Sequence, residues 1–159
     1  MSDFEGLWSI DQRCFEPGIA YSRRELAWYM RQRSAFTIIG ETRDTSRSRW
    51  KMIGFVVGQV IRGKLGHIVT IDVLPQARRT GIGTRLMSEA EERLRKRGCE
   101  AMALETAVDN RAAIAFYKRL GYEVIRTIPR YYLGKIDALM MVKPFRAEGR
   151  GTKGEENSD

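Results

Sequence analysis

The chain has 159 residues, 43% of them hydrophobic, which suits one domain with a buried core and excludes a disordered chain. No apolar run approaches the ~18 residues of a membrane span, and the opening M-S-D-F-E-G lacks the basic-then-apolar pattern of a secretory signal, so a cytoplasmic protein without membrane attachment is expected. A net charge of +8 raises nucleic-acid binding, but the basic residues are dispersed and no RRM, KH or zinc-finger signature accompanies them; a solvated basic surface that attracts an anionic ligand is expected instead.

Asp3 is a good N-cap, and Leu7, Ile10 and Cys14 follow at helical spacing, which predicts an opening helix. Glu16-Pro17-Gly18 breaks it. Ser22-Arg23-Arg24-Glu25 is a capping box, so a second helix should run from there to about Arg33. Phe36 to Gly40 reads as a short strand, and the polar run Arg43 to Arg49 as a hairpin loop. Met52 to Ile61 and His67 to Leu74 are β-rich runs joined by R-G-K-L-G, a second hairpin. Strict alternation puts His67, Val69, Ile71 and Val73 on one face and Ile68, Thr70, Asp72 and Leu74 on the other.

Ile82, Leu86, Ala90 and Leu94 recur every four residues, so Gly81 to Arg97 reads as a helix facing the sheet, ended by Gly98. Ala101 to Thr106 reads as a strand. Asp109 or Asn110 can cap a helix with Ala113, Phe116, Tyr117 and Leu120 on one face, ended by Gly121. Glu123 to Thr127 and Leu139 to Val142 complete the strands. The expected architecture is one α/β (α+β) domain over residues 1–145, with a mixed sheet of about six to seven strands and about four helices. Residues 146–159 carry no apolar content and are expected to be a disordered tail.

Cys14 and Cys99 form no CxxC, and His67 is the only histidine, so no metal site is expected. The informative stretch is Q-A-R-R-T-G-I-G-T-R-L-M, Gln76 to Met87. A dinucleotide fingerprint needs a third glycine where Leu86 stands, and no P-loop G-x-x-x-x-G-K-S/T is present. A plain tight turn would satisfy the glycine spacing alone. Yet Arg78-x-x-Gly81-x-Gly83 follows a strand and opens a long helix. The missing Cβ atoms admit a ligand close to the backbone, and the free N–H groups of residues 81 to 86 suit a pyrophosphate. Arg78, Arg79 and Arg85 can add charge-assisted contacts.

V-L-P-Q-A-R-R-T-G-I-G-T-R-L-M resembles motif A of the GNAT acetyltransferases, Q/R-x-x-G-x-G/A. A-L-E-T-A-V-D-N-R-A-A-I-A-F-Y-K-R-L-G-Y resembles the family's next strand and helix. P-R-Y-Y-L-G-K-I-D-A-L-M-M is similar to the ending of RimI-like N-terminal protein acetyltransferases. The resemblance covers roughly Phe4 to Phe145, and implies the GNAT fold and acetyl-CoA as cofactor. Members commonly begin with a strand before the first helix, which this chain has short or missing.

For the cofactor, the resemblance implies a cradle of Arg78, Arg79, Thr80, Gly81, Ile82, Gly83, Thr84 and Arg85. Backbone groups of Ile71 and Val73 would meet the pantetheine amides, and Asn110 would bond the pantetheine arm, cap its helix, or both. For catalysis it implies Glu105 as base, where burial could raise its pKa, and Tyr117 as the acid near the CoA sulfur. Without the resemblance, Glu105 reads as a strand-end carboxylate paired with an arginine and Tyr117 as core. His67 is a backup base by its ordinary pKa. Cys99 is expected to be packing. For the amine, the implied loops are Phe15 to Ser22 and Pro129 to Lys135, with Phe15, Tyr21, Tyr131 and Tyr132 as substrate residues.

The implied reaction is acetyl transfer by direct attack in a ternary complex. The implied acceptor is the N-terminal α-amine of a protein or peptide, with a ribosomal protein among the candidates, and the enzyme would be a monomer or weak dimer. A small-molecule amine or a lysine side chain is the alternative acceptor, and a non-catalytic CoA- or RNA-binding module the remote one.

Overall fold

The computed structural model describes residues 2–146, so the expected tail lies, apart from Arg146, outside the described residues. The elements in chain order are α1 (Ser2–Cys14), α2 (Arg23–Met30), β1 (Ala35–Asp44), β2 (Arg49–Arg62), β3 (Leu65–Val73), α3 (Ile82–Lys96), β4 (Ala101–Ala107), α4 (Arg111–Arg119), β5 (Glu123–Tyr132) and β6 (Ile136–Pro144). A short 3-10 turn, Pro75–Ala77, joins β3 to α3. Six strands form one mixed sheet in the order β1-β2-β3-β4-β6-β5, and only β3 and β4 run parallel. Among the described residues no strand precedes α1.

Local signals place the helices well. Ser22 accepts from the Glu25 amide while the Glu25 carboxylate accepts from the Ser22 amide, so the capping box is complete. Helix α2 then stops at Met30, short of the expected Arg33. Asp3 is not the N-cap of α1; it lies in the first turn, where its charge still favours the positive helix end. Asn110 caps α4, accepting from the Ala113 amide at 3.1 Å.

The sheet separates two cores. Helices α3 and α4 cover one face through Leu86, Met87, Ala90, Leu94 and Tyr117, packed on Val56, Ile68, Met102, Leu104 and Met141. Helices α1 and α2 cover the other through Leu7, Ile10 and Leu26, packed on Phe55 and Val57.

The expected alternation of β3 fails at one residue. Val57 pairs with Thr70 but Gly58 pairs with Ile68, so Val69 is an extra residue in the ladder. This β-bulge reverses the faces along the strand. Ile68 lies on the α3 face before it, and Ile71 and Val73 lie on that face after it. His67 therefore does not share a face with Ile71 and Val73; it looks toward α1 and α2.

A second irregularity lies beside it. The parallel ladder of β3 with β4 has the pairs Leu65↔Ala101, Gly66↔Met102 and His67↔Ala103, and then the strands part. Beyond that point β3 pairs with β2 and β4 with β6. The sheet thus opens as a V whose apex is at His67 and Ala103.

Ser22→Ala removes an N-cap oxygen and frees the Glu25 partner. It should lower stability by ~1 kcal/mol, a fall of about 2–4 °C in the thermal midpoint measured by circular dichroism.

Candidate active site

The N-terminal end of α3 has no side-chain cap. Gly81 is the N-cap of α3 with φ +86, a left-handed conformation that a side chain would strain, and it supplies no side-chain cap. The amides of Ile82, Gly83 and Thr84 therefore have no capping side chain to meet. A Cβ added at Gly81 would meet open space, whereas one at Gly83 would come 3.3 Å from the Phe116 ring. Gly81 is thus needed for its dihedral and Gly83 for close packing of α3 on α4. Arg79 also adopts a positive φ, +62, and is exposed with Arg78, Thr80, Thr84 and Arg85 around the turn. The Thr80 hydroxyl donates to the Ala77 carbonyl and holds the turn closed.

The end of β3 is tied down within the chain. The Val73 carbonyl already accepts from Arg78 Nε at 3.0 Å and from Cys14 Sγ at 3.4 Å. Arg78 thus turns part of its guanidinium back to β3. Ile71 and Val73 lie half-buried on the α3 side.

His67 and Glu105 come together at the apex of the V. His67 Nε2 lies 2.7 Å from Glu105 Oε2, and both side chains are about one-sixth exposed, at 17% and 18%. They sit 38 residues apart in sequence, and the parallel register of β3 with β4 brings them to one face. The partner of Glu105 is thus a histidine and not an arginine. Behind it, Gln59 Nε2 lies 3.5 Å from His67 Nδ1, across the β2–β3 ladder.

Tyr117 lies on the other core, 8% exposed, edge-on to Tyr122. Burial raises its hydroxyl pKa well above the usual phenol value, with the Asp72 and Tyr132 charges adding to the effect. It is held as a neutral hydroxyl. Asn110 is exposed at the start of α4, with its carbonyl oxygen committed to the cap.

Aromatic residues close the α1–α2 side. Tyr21 and Tyr29 meet edge to face at 5.5 Å, and Tyr131 and Tyr132 at 4.9 Å. Burial lifts the Tyr131 hydroxyl to about 12 and raises that of Tyr132, and the negative charge of Glu105 contributes to both. Tyr131 remains 49% exposed and Tyr132 is half-buried. The two loops touch: a Cβ on Gly18 would lie 2.5 Å from Leu133 Cδ2. Phe15 is half-buried just past α1, where its amide donates to the Asp11 carbonyl. Cys99 is buried at 6% exposure and packs in the α3–α4 core.

Sequence reasoning missed Gln59, Tyr29 and the buried carboxyls Asp11 and Asp72. The last had a signal: an acidic residue inside a β-rich run, two residues after Thr70, whose hydroxyl donates to it. Among the described residues, no group of three or more His, Cys, Asp or Glu side chains is placed to hold a metal ion, and no helix is long and apolar enough to cross a membrane.

Residues 4–122 match the model of the Acetyltransferase (GNAT) family. N-alpha-acetyltransferase 30 of Schizosaccharomyces pombe is 31% identical over 126 residues, 77% of this chain and 80% of that protein. Other relatives are matched over 49% and 60% of their own length. The ribosomal-protein-S18-alanine N-acetyltransferase from Escherichia coli superposes with a TM-score of 0.76 at 26% identity, over 95% of this chain and 93% of its own. The NatC complex bound to Gag peptide and CoA gives 0.76 at 25% identity, over 90% and 91%. The chain belongs to the acetyltransferase (GNAT) family and is an N-acetyltransferase.

Proposed function

We propose that this enzyme acetylates the N-terminal α-amine of a protein or peptide. The observation that carries the reading is the His67–Glu105 pair at the apex of the V, walled by tyrosines from two loops that touch each other. Contact between Gly18 and Leu133 narrows the approach to that pair, which suits a chain end. The relatives named above as N-alpha- and S18-alanine acetyltransferases support the same class of acceptor. S18 itself supports a ribosomal protein as one acceptor to test.

Acetyl-CoA is the cofactor. Bound, it supplies a thioester acetyl group and a thiol leaving group. The uncapped amides of Ile82, Gly83 and Thr84 fit its pyrophosphate, with Arg79 and Arg85 beside them. Arg78 and Thr80 hold the turn through the Val73 and Ala77 carbonyls. Ile71 on the parted strand would meet the pantetheine amides, with Val73 beside it, its carbonyl already taken, and the Asn110 amide group would be left to bond the arm.

An α-amine has a pKa of ~8 against ~10.4 for lysine, so about 250 times more of it is neutral at a given pH. The base has correspondingly less to do. With Gln59 donating to Nδ1, the hydrogen-bond network assigns the imidazole proton to Nε2, which donates to Glu105 Oε2. Glu105 then keeps Oε1 for the incoming amine, directly or through water. His67 orients the carboxylate and stabilises its charge. Tyr117 keeps its proton because burial disfavours the phenolate, so it has a proton to give to a developing thiolate. Tyr21, Tyr131 and Tyr132 bind the peptide backbone, and Phe15 backs the loop.

Mass spectrometry of a peptide panel incubated with acetyl-CoA should show acetylation at the α-amine of free N-terminal peptides, and not at internal lysines of N-terminally blocked ones. Acetylation of small amines or lysines alone would refute the reading. Tyr117→Phe should reduce kcat by about 10²–10³-fold while CoA affinity, read by calorimetry, stays within about twofold. Glu105→Gln should lower kcat/KM by about 10²–10⁴-fold and shift its pH profile. If Glu105→Gln leaves the profile intact and His67→Ala alters it, the base is His67.

A further inference from the structure

Two carboxyl groups lie between α1 and β3, away from the His67–Glu105 pair. Asp11 is 0% exposed and Asp72 is 1% exposed. Each has one satisfied oxygen. Asp11 Oδ2 accepts from the Tyr21 amide at 2.8 Å and more distantly from Gln12 Nε2 at 3.4 Å. Asp72 Oδ1 accepts from the Thr70 hydroxyl at 2.7 Å. Each also has one orphan: Asp11 Oδ1 and Asp72 Oδ2 have no donor. The two carboxyls lie on facing elements, α1 and β3, and each is among the groups that shift the other's titration.

An orphaned buried carboxylate oxygen is costly, and two buried carboxylates in contact repel. One proton between the two orphans removes both penalties. The surroundings agree. The titratable groups facing the pair are the Cys14 thiol from α1, Tyr21 from the loop, Tyr117 from α4 and Arg78 from the turn after β3. Arg78 is the single cation among them, enough to balance one carboxylate. The second stays protonated, and burial is the main cause that holds Asp72 well above the usual carboxylate range.

The pair anchors Tyr21. Its amide is held by Asp11, and its carbonyl accepts from Gln12 Nε2 at 2.8 Å and Trp8 Nε1 at 3.3 Å, all three on α1. Its hydroxyl donates to the carbonyl of the bulge residue Val69 at 3.1 Å. We propose that Asp11 and Asp72 share one proton and act as positioning residues that clamp the loop of residues 15–22 to the cofactor strand β3. This rests on the reading that this loop borders the amine.

The sign of the linkage follows from the raised carboxyl. Its contribution is fully present below the unfolded pKa of ~4 and is lost as pH rises through the folded value. Asp72→Asn keeps a hydrogen bond to Asp11 without the shared proton. Across that window the folding constant of the wild type should therefore fall relative to Asp72→Asn, by up to about tenfold per pH unit. Equal pH slopes in urea titrations of the two proteins would overturn the proposal. In the unmutated chain, ¹³Cγ NMR of labelled aspartates should show one proton retained on the pair at pH 7. Two ionised carboxylates there would also overturn it, with no variant required.

The positioning role is read separately. Asp11→Ala should raise the KM for peptide about tenfold or more, with the KM for acetyl-CoA unchanged, and Asp11→Asn should restore it. An unchanged peptide KM in Asp11→Ala would refute the clamp. Should no peptide be a substrate, the hydrogen-exchange protection of the Tyr21 amide replaces KM as the readout. It should fall in Asp11→Ala, recover in Asp11→Asn, and be unchanged by Asp11→Ala if the clamp does not exist.

Discussion

The facing of β3, and with it the place of His67, depends on one extra residue, Val69. Without the bulge, His67 would share a face with Ile71 and Val73 and point at α3. With it, the strand sends His67 to the α1–α2 side and Ile71 and Val73 to the α3 side. The same strand then serves two sides: the His67–Glu105 pair on one and Ile71 and Val73 on the other. Bulges also disturb the ladder, and the Val69 carbonyl is the one that the Tyr21 hydroxyl takes up. The facing of His67 and the hydroxyl partner of Tyr21 are thus set by one local irregularity.

The division of labour between the two faces explains the contrasting treatment of polar groups. Glu105 and His67 are paired but partly open to solvent. Tyr117 is sealed among Phe116, Tyr122 and the α3 core, which keeps its hydroxyl protonated.

How much of this the sequence carried follows from the range of each interaction. The capping box at Ser22, the Asn110 cap and the glycine at the mouth of α3 involve residues within four of one another, and local pattern was enough to read them. Strand ends were read short. Phe36 to Gly40 extends to Asp44 and Glu123 to Thr127 extends to Tyr132, because pairing with β2 and β6 prolongs each strand past its apolar stretch. The bulge was illegible, since Val69 and Ile68 are both apolar and either alternation buries a branched side chain. The His67–Glu105 pair was illegible as a pair, because it depends on the register of two parallel strands. Both residues were singled out as rival bases; across that register they are one hydrogen-bonded unit.

The parted strands have a meaning for stability as well as for the site. Beyond His67 and Ala103, β3 and β4 present strand edges to each other in the middle of the sheet, where such edges are normally paired. An amide-bearing arm held between them would stand in for a strand and join the hydrogen-bond ladder. Binding and folding are then linked: a ligand at 100 times its Kd adds ~2.7 kcal/mol to stability by mass action alone. On that account acetyl-CoA is a stabiliser of the folded chain as well as its acetyl donor.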